Sequence, residues 1–150
     1  MKYLSFFLIA ILFGAGGRVK VAESTSQEWV GGLQQSGYGT YYKSTVTVKA
    51  GSDKLQIDEL WVGNLKLPAR AVTDLKDRNS TTFKKGDQVY VRAEILWKPE
   101  ATGGMVRVTG IQADKPYEYQ GEGLIGYTYK GKRKYAEIKK FKVLERIIYP

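Results

Sequence analysis

Over residues 88–98 an apolar side chain recurs at every second position. Val89, Val91, Ala93, Ile95 and Trp97 alternate with Gln88, Tyr90, Arg92, Glu94 and Lys98. Successive side chains on a strand point to opposite faces, so a period of two marks a strand with one face buried and one solvated. That pattern belongs to antiparallel sheets, whose buried face needs a second layer to cover it. The same period dominates from Thr40 onward. Tyr42, Val46 and Val48 alternate with Lys43, Thr45, Thr47 and Lys49.

Turn chemistry divides the rest into short segments. Gly51-Ser52-Asp53 precedes a strand over 55–62. Within it Leu55 and Ile57 are in one phase and Leu60 and Val62 in the other, which predicts a bulge near Asp58-Glu59. Gly63-Asn64 is a turn. Residues 65–72 are expected as a third strand, placed at an edge or made irregular by Pro68. A polar loop over 73–87 leads through Lys85-Gly86-Asp87 into the clean strand, and a hairpin-length loop over 98–104 leads to a strand over 105–113. A loop over 114–121 carries Tyr117 and Tyr119. Segments 124–129 and 134–138 flank Lys130-Gly131-Lys132-Arg133, a tight hairpin with Gly131 at positive φ. The tail reads two ways. Tyr135, Ile138, Phe141, Leu144 and Ile148 recur at near-helical spacing, whereas Phe141 and Val143, then Ile147 and Tyr149, alternate as a strand does. The preceding hairpin favours strand. Seven or so short strands predict an all-β fold, a single antiparallel β-sandwich over 40–150, with a small β-barrel as the alternative. The absence of a clear helix argues against an α/β enzyme.

The N-terminus has a different character. Lys2, an apolar run over 3–13 broken only by Ser5, and Gly14-Ala15-Gly16-Gly17 follow the order of a secretory signal peptide. The run is too short for a span, which takes about twenty apolar residues. The reading is export to the periplasm or beyond, with cleavage near Gly17 or retention as a weak anchor, and no transmembrane span in the mature chain. Residues 18–39, polar over 23–28 and holding four glycines in GGLQQSGYG, are expected to be a Gly-rich linker leading into the domain. Trp29 and Val30 would be its first docked residues.

Setting the leader aside leaves 133 residues, enough for one domain with its own core. There is no cysteine, so that core stands without disulfides, and thiol nucleophiles and Cys-ligated metals are excluded. There is no histidine either, which removes Ser-His-Asp catalysis and the usual imidazole metal sites. No cofactor is implied. The net charge is +9, or +8 once Lys2 of the leader is set aside. It favours anionic partners; export turns these toward membrane lipid and acidic glycan and away from nucleic acid.

Several constellations invite chemistry. The glycines of 31–39 lack the Gly-Lys-Ser/Thr ending and the following helix of a phosphate loop. Carboxylates are the familiar acid–base groups that remain, and a glycosidase needs two of them about 5 to 9 Å apart across a cleft. Asp58 and Glu59 are adjacent, so on a regular strand they face opposite ways; Glu94, Glu118 or Glu122 would have to join one of them in space. Asp74, Asp77, Asn79 and Asp87 offer oxygen ligands on the long loop, but Lys76, Arg78, Lys84 and Lys85 would repel a cation, and a solvated loop is expected. Asn79-Ser80-Thr81 matches a glycosylation acceptor, a pattern common by chance. Trp29, Trp61 and Trp97 are expected in the core, with Trp61 alternatively a platform for a sugar ring.

The strongest binding signal is KGKRKYAEIKKFK, residues 130–142, with seven positive charges, one negative, and Tyr127, Tyr129, Tyr135 and Phe141 interleaved. The candidate binding residues are Lys130, Lys132, Arg133, Lys134, Tyr135, Lys139 and Lys140. Lysines on an exposed hairpin also prevent edge-to-edge strand pairing, the structural explanation of the same charges.

Glu28-Trp29-Val30-Gly31-Gly32, Ser36-Gly37-Tyr38-Gly39, Leu60-Trp61-Val62-Gly63, Lys85-Gly86-Asp87 and the closing Tyr149-Pro150 resemble small exported β-domain proteins of Bacteroidota-type bacteria that have no assigned function. The resemblance covers most of the mature chain. It implies an envelope β-sandwich and carries over no active site. The expectation is a non-enzymatic envelope module that binds an anionic lipid head group or acidic glycan. The alternatives are a protein–protein contact through a sheet edge, near Pro68 or the C-terminal strand, and a carboxylate-based glycan hydrolase.

Overall fold

The computed structural model describes residues 17–33 and 35–150. The expected leader over 1–17 lies outside the described residues apart from Gly17. The described chain forms twelve strands: β1 (Val19–Val30), β2 (Tyr38–Val48), β3 (Leu55–Val62), β4 (Leu65–Pro68), β5 (Arg70–Val72), β6 (Gln88–Pro99), β7 (Met105–Arg107), β8 (Ile111–Gln112), β9 (Gly123–Tyr129), β10 (Lys132–Ile138), β11 (Lys142–Val143) and β12 (Ile147–Ile148). They pair into two sheets. The first runs β11-β1-β2-β6-β5, with β12 also on β1 and β7 also on β6; the second runs β10-β9-β3-β4-β8. No strand pair joins the two sheets, so the molecule is a sandwich and not a closed barrel.

The alternation read from the sequence builds the interface between the layers. Val46, Val48, Val89 and Val91 of the first sheet meet Leu55, Leu60, Leu67, Ile125, Tyr127 and Ile138 of the second, all at most 2% exposed. Each such side chain contributes about 1.5–3 kcal/mol of burial, and this layer carries the fold without a covalent cross-link. The bulge expected in β3 is present. Ile57 pairs with Tyr127 and Glu59 with Gly126, which leaves Asp58 as the extra residue.

The linker expected over 18–39 is corrected. Residues 19–30 are β1, an inner strand of the first sheet that pairs along its length with β2. Its polar sequence hid it, since the face it turns inward carries serine. The Ser24 and Ser44 hydroxyls bond to each other at 2.7 Å within the sandwich. A register shift between Val21 and Glu23 breaks the alternation as well. The strand expected over 65–72 is two strands in different sheets. After Pro68 the chain crosses between layers, and the Ala69 N–H donates to the Asp58 carbonyl at 2.9 Å. The strand expected over 105–113 likewise divides into β7 and β8, with Gly110 at φ 84° between them. The tail is strand where it is regular, but β11 and β12 are only two residues each and lie parallel to β1.

Trp29 and Trp61 are buried, as expected, but outside the central cluster between the sheets, and Trp97 is only half-buried. Trp29 is buried on the outer face of the first sheet, stacked on Tyr41 at 5.7 Å and edged by Tyr149 at 6.0 Å. Trp61 is buried on the outer face of the second sheet, opposite Leu124. Trp97 continues the inward face of β6 but is half-buried, stacked on Tyr38 at 6.1 Å. The 113–122 loop explains the covered outer face beside Trp61. Tyr117 packs on Tyr135 of β10, while the Tyr119 hydroxyl donates to the Gly63 carbonyl at the β3–β4 turn, so the loop crosses β9 and β3.

Candidate functional site

The β9–β10 hairpin turns in two residues, tighter than the four expected. Lys130 at φ 48° and Gly131 at φ 77° both have positive φ, the conformation whose twist suits a two-residue hairpin. The register then sorts the basic segment by face. Tyr127 and Ile125 point into the core, so their partners Lys134 and Ala136 lie on the inner side of this edge strand, and Arg133, Tyr135 and Glu137 lie on the outer side. Lys139 and Lys140 sit beyond the far end of β10, about 20 Å from the turn along a seven-residue strand. They precede Phe141, which is buried edge-on against Tyr42 at 5.1 Å. The seven candidates do not share one surface.

Arg133 is committed elsewhere. Its guanidinium donates to Asp58 Oδ1 and to Glu59 Oε2, each at 2.8 Å. The bulge makes this fork possible, because the extra residue at 58 lets two adjacent carboxylates reach one partner. Glu59 also accepts from Trp61 Nε1 at 2.8 Å and lies 4.0 Å from Lys66 Nζ. Gly126 leaves the space: a Cβ there would lie 2.5 Å from Arg133 Nη2 and 3.0 Å from Glu59 Cβ. Tyr135 lies between this pair and Tyr117, with the guanidinium 5.6 Å from its ring. Asp58 and Glu59 are thus gathered on one arginine instead of facing each other over a cleft. Glu94 belongs to the other sheet, and Glu122 accepts from the Phe141 N–H at 3.3 Å. The loop carboxylates brace their own backbone. Asp74, Asp77 and Asp87 accept from the N–H groups of Lys76, Asn79 and Lys84. Among the described residues no group of three or more His, Cys, Asp or Glu side chains is placed to hold a metal.

Lys130 lies in the turn and Lys132 pairs with Tyr129 across the hairpin, and Arg18 and Lys54 come to the same end. Arg18, just before β1, lays its guanidinium 4.5 Å over the Tyr129 ring, and Lys130 Nζ lies 5.4 Å from the same ring. Lys54 closes the group: its carbonyl accepts the Lys130 N–H at 3.1 Å. The backbone fixes Arg18 there, its N–H donating to the Tyr127 hydroxyl and its carbonyl accepting from Lys49. Desolvation pushes the Tyr129 phenol up, but the Lys130 hydrogen bond and the charges of Arg18, Lys130 and Lys54 outweigh it and hold the phenol below its usual value. Among the described residues no carboxylate lies within ion-pair distance of Arg18, Lys54, Lys130 or Lys132. Gly17 reaches the same end, with the Tyr127 hydroxyl nearby, so the segment before it joins the domain beside this cluster.

The fold and this end together define an antiparallel β-sandwich with a cationic pole. No family model matches the chain, and no curated protein or solved structure matches it. Among the described residues no helix is long and apolar enough to cross a membrane.

Proposed function

We propose that this chain is a non-enzymatic module of the cell envelope that holds an anionic surface component, a lipid head group or an acidic glycan, at the pole formed by Arg18, Lys54, Lys130 and Lys132. The observation that carries the reading is the convergence of Arg18 and Lys130 on the Tyr129 ring, with Lys54 beside them and Lys132 paired across from Tyr129, and, among the described residues, no carboxylate within ion-pair distance of the four. The point where residues 1–16 join the domain favours lipid. A leader kept as an anchor would hold this end at the membrane surface. The resemblance to exported β-domain proteins supports the same location. Lys132 and Lys134 also guard the free edge of β10 against pairing; that role is compatible with binding at the turn.

Each Lys or Arg close to an anionic bilayer contributes about 1 kcal/mol, screened by salt. Sedimentation with anionic and neutral vesicles tests the reading. Binding is expected to anionic vesicles at low salt and to be lost at high salt. Equal binding to neutral vesicles, or none to anionic ones, refutes it for lipid; an acidic polysaccharide in place of vesicles tests the glycan arm.

A further inference from the structure

The outer face of the first sheet carries a charge arrangement that the pole does not explain. Register places Thr25 beside Lys43, Lys43 beside Arg92, and Arg92 beside Arg70, so three cations stand in one cross-strand row over β2, β6 and β5. All three point outward, since their neighbours Tyr42, Val91 and Ala71 face the core. Opposite residues on paired strands have Cβ atoms about 5 Å apart, and like charges there are destabilising. No carboxylate stands within the row itself; Glu94 lies in the neighbouring one. Among the described residues none of the three is in an ion pair, nor is Arg78, which approaches from the 73–87 loop. The backbone holds the guanidiniums in place instead: Arg70 donates to the Arg78 carbonyl at 3.2 Å, and Arg92 reaches the Leu75 carbonyl at 3.5 Å.

The row lies along an open trough of about 750 Å³, walled by Leu75 on one side and Leu144 on the other. The three cations span two inter-strand spacings, about 10 Å, and the row extended to Thr25 on β1 spans three, about 14 Å, which exceeds a single phosphate or head group. Lys43 is also about 17 Å along β2 from the end at Val48, so the trough is separate from the Tyr129 pole.

We propose that this trough is a second binding site, for an extended oligosaccharide bearing carboxylates or other oxyanions. The arginines offer planar forks that match carboxylate oxygens. The neighbouring row favours a glycan over a pure polyanion. It sets Tyr41 beside Glu94, an acceptor for sugar hydroxyls that would repel a uniformly anionic chain.

The test is titration of the full chain with oligogalacturonate, a neutral oligosaccharide of the same length, and inorganic phosphate, for the wild type and for Lys43→Gln and Arg92→Gln. Acidic oligosaccharide is expected to bind and to raise the thermal midpoint. Arg92→Gln is expected to weaken binding about tenfold through a lost charge-assisted bond, while raising the ligand-free midpoint at low salt because the row is relieved. That paired outcome separates a binding role from a fold defect. The proposal is overturned if the acidic oligosaccharide does not bind at low salt, if both variants bind it as the wild type does, or if the neutral sugar or phosphate binds equally well. Variants at the Tyr129 pole are expected to leave this binding unchanged.

Discussion

Ser24 and Ser44 face each other across β1 and β2, 4% and 0% exposed, with their hydroxyls 2.7 Å apart. If β1 is a docked inner strand, removing either hydroxyl leaves the other buried without its partner. Such an orphaned group costs about 1–3 kcal/mol, whereas removing both partners of a buried hydrogen bond is close to neutral. Ser24→Ala and Ser44→Ala are each expected to lose that amount. The double variant is expected to be no less stable than either single one, a coupling of about 1–3 kcal/mol. Urea unfolding of the four proteins measures it, and the thermal midpoint moves by about 4 °C for each kcal/mol in a domain of this size. Two results would refute the docking of β1: single substitutions that change nothing, or losses that simply add.

Other consequences are as direct. Gly126→Ala is expected to cost about 1–3 kcal/mol by overpacking, because its Cβ would press on Glu59 Cβ and the Arg133 guanidinium; chemical denaturation reads the loss. Arg133→Gln is expected to destabilise the fold by breaking its bonds to Asp58 and Glu59, yet to leave vesicle binding near the wild-type level, and sedimentation checks the second half. Burial, then the hydrogen bond that the Tyr41 hydroxyl donates to Tyr149, holds the Tyr41 phenol above its usual value of 10.0. The unfolded chain therefore loses that proton first, so stability is full below about pH 10 and falls as pH rises beyond it. Tyr41→Phe is expected to flatten that fall in an alkaline stability series.

What could be read in advance depended on whether the information was local. The alternation of Val89, Val91 and Ala93 is a property of one strand and survives in β6. The phase slip between Ile57 and Leu60 marked the bulge at Asp58, although its consequence, two carboxylates on Arg133, needed the position of β10. β1 was hidden because Ser24 is satisfied by a serine 20 residues away and because a register shift interrupts its pattern. Residues 65–72 gave one strand-like run, but the decision to cross between sheets at Ala69 is tertiary. The basic segment 130–142 was conspicuous, and the hairpin register then dispersed it. Arg18, Lys54 and Lys130 become neighbours only when β1, β3 and β9 are assembled, so no spacing in the chain announces them. The Lys43, Arg92 and Arg70 row is likewise a product of register.

The central claim is that binding follows the assembled pole and not the linear run of basic residues. Co-sedimentation with anionic vesicles at low salt, comparing Lys54→Gln/Lys130→Gln/Lys132→Gln with Lys139→Gln/Lys140→Gln, tests it most directly. At about 1 kcal/mol per charge the triple variant is expected to lose roughly a hundredfold in affinity, and the double variant far less. Comparable losses in the two variants, or the larger loss at Lys139 and Lys140, would contradict it.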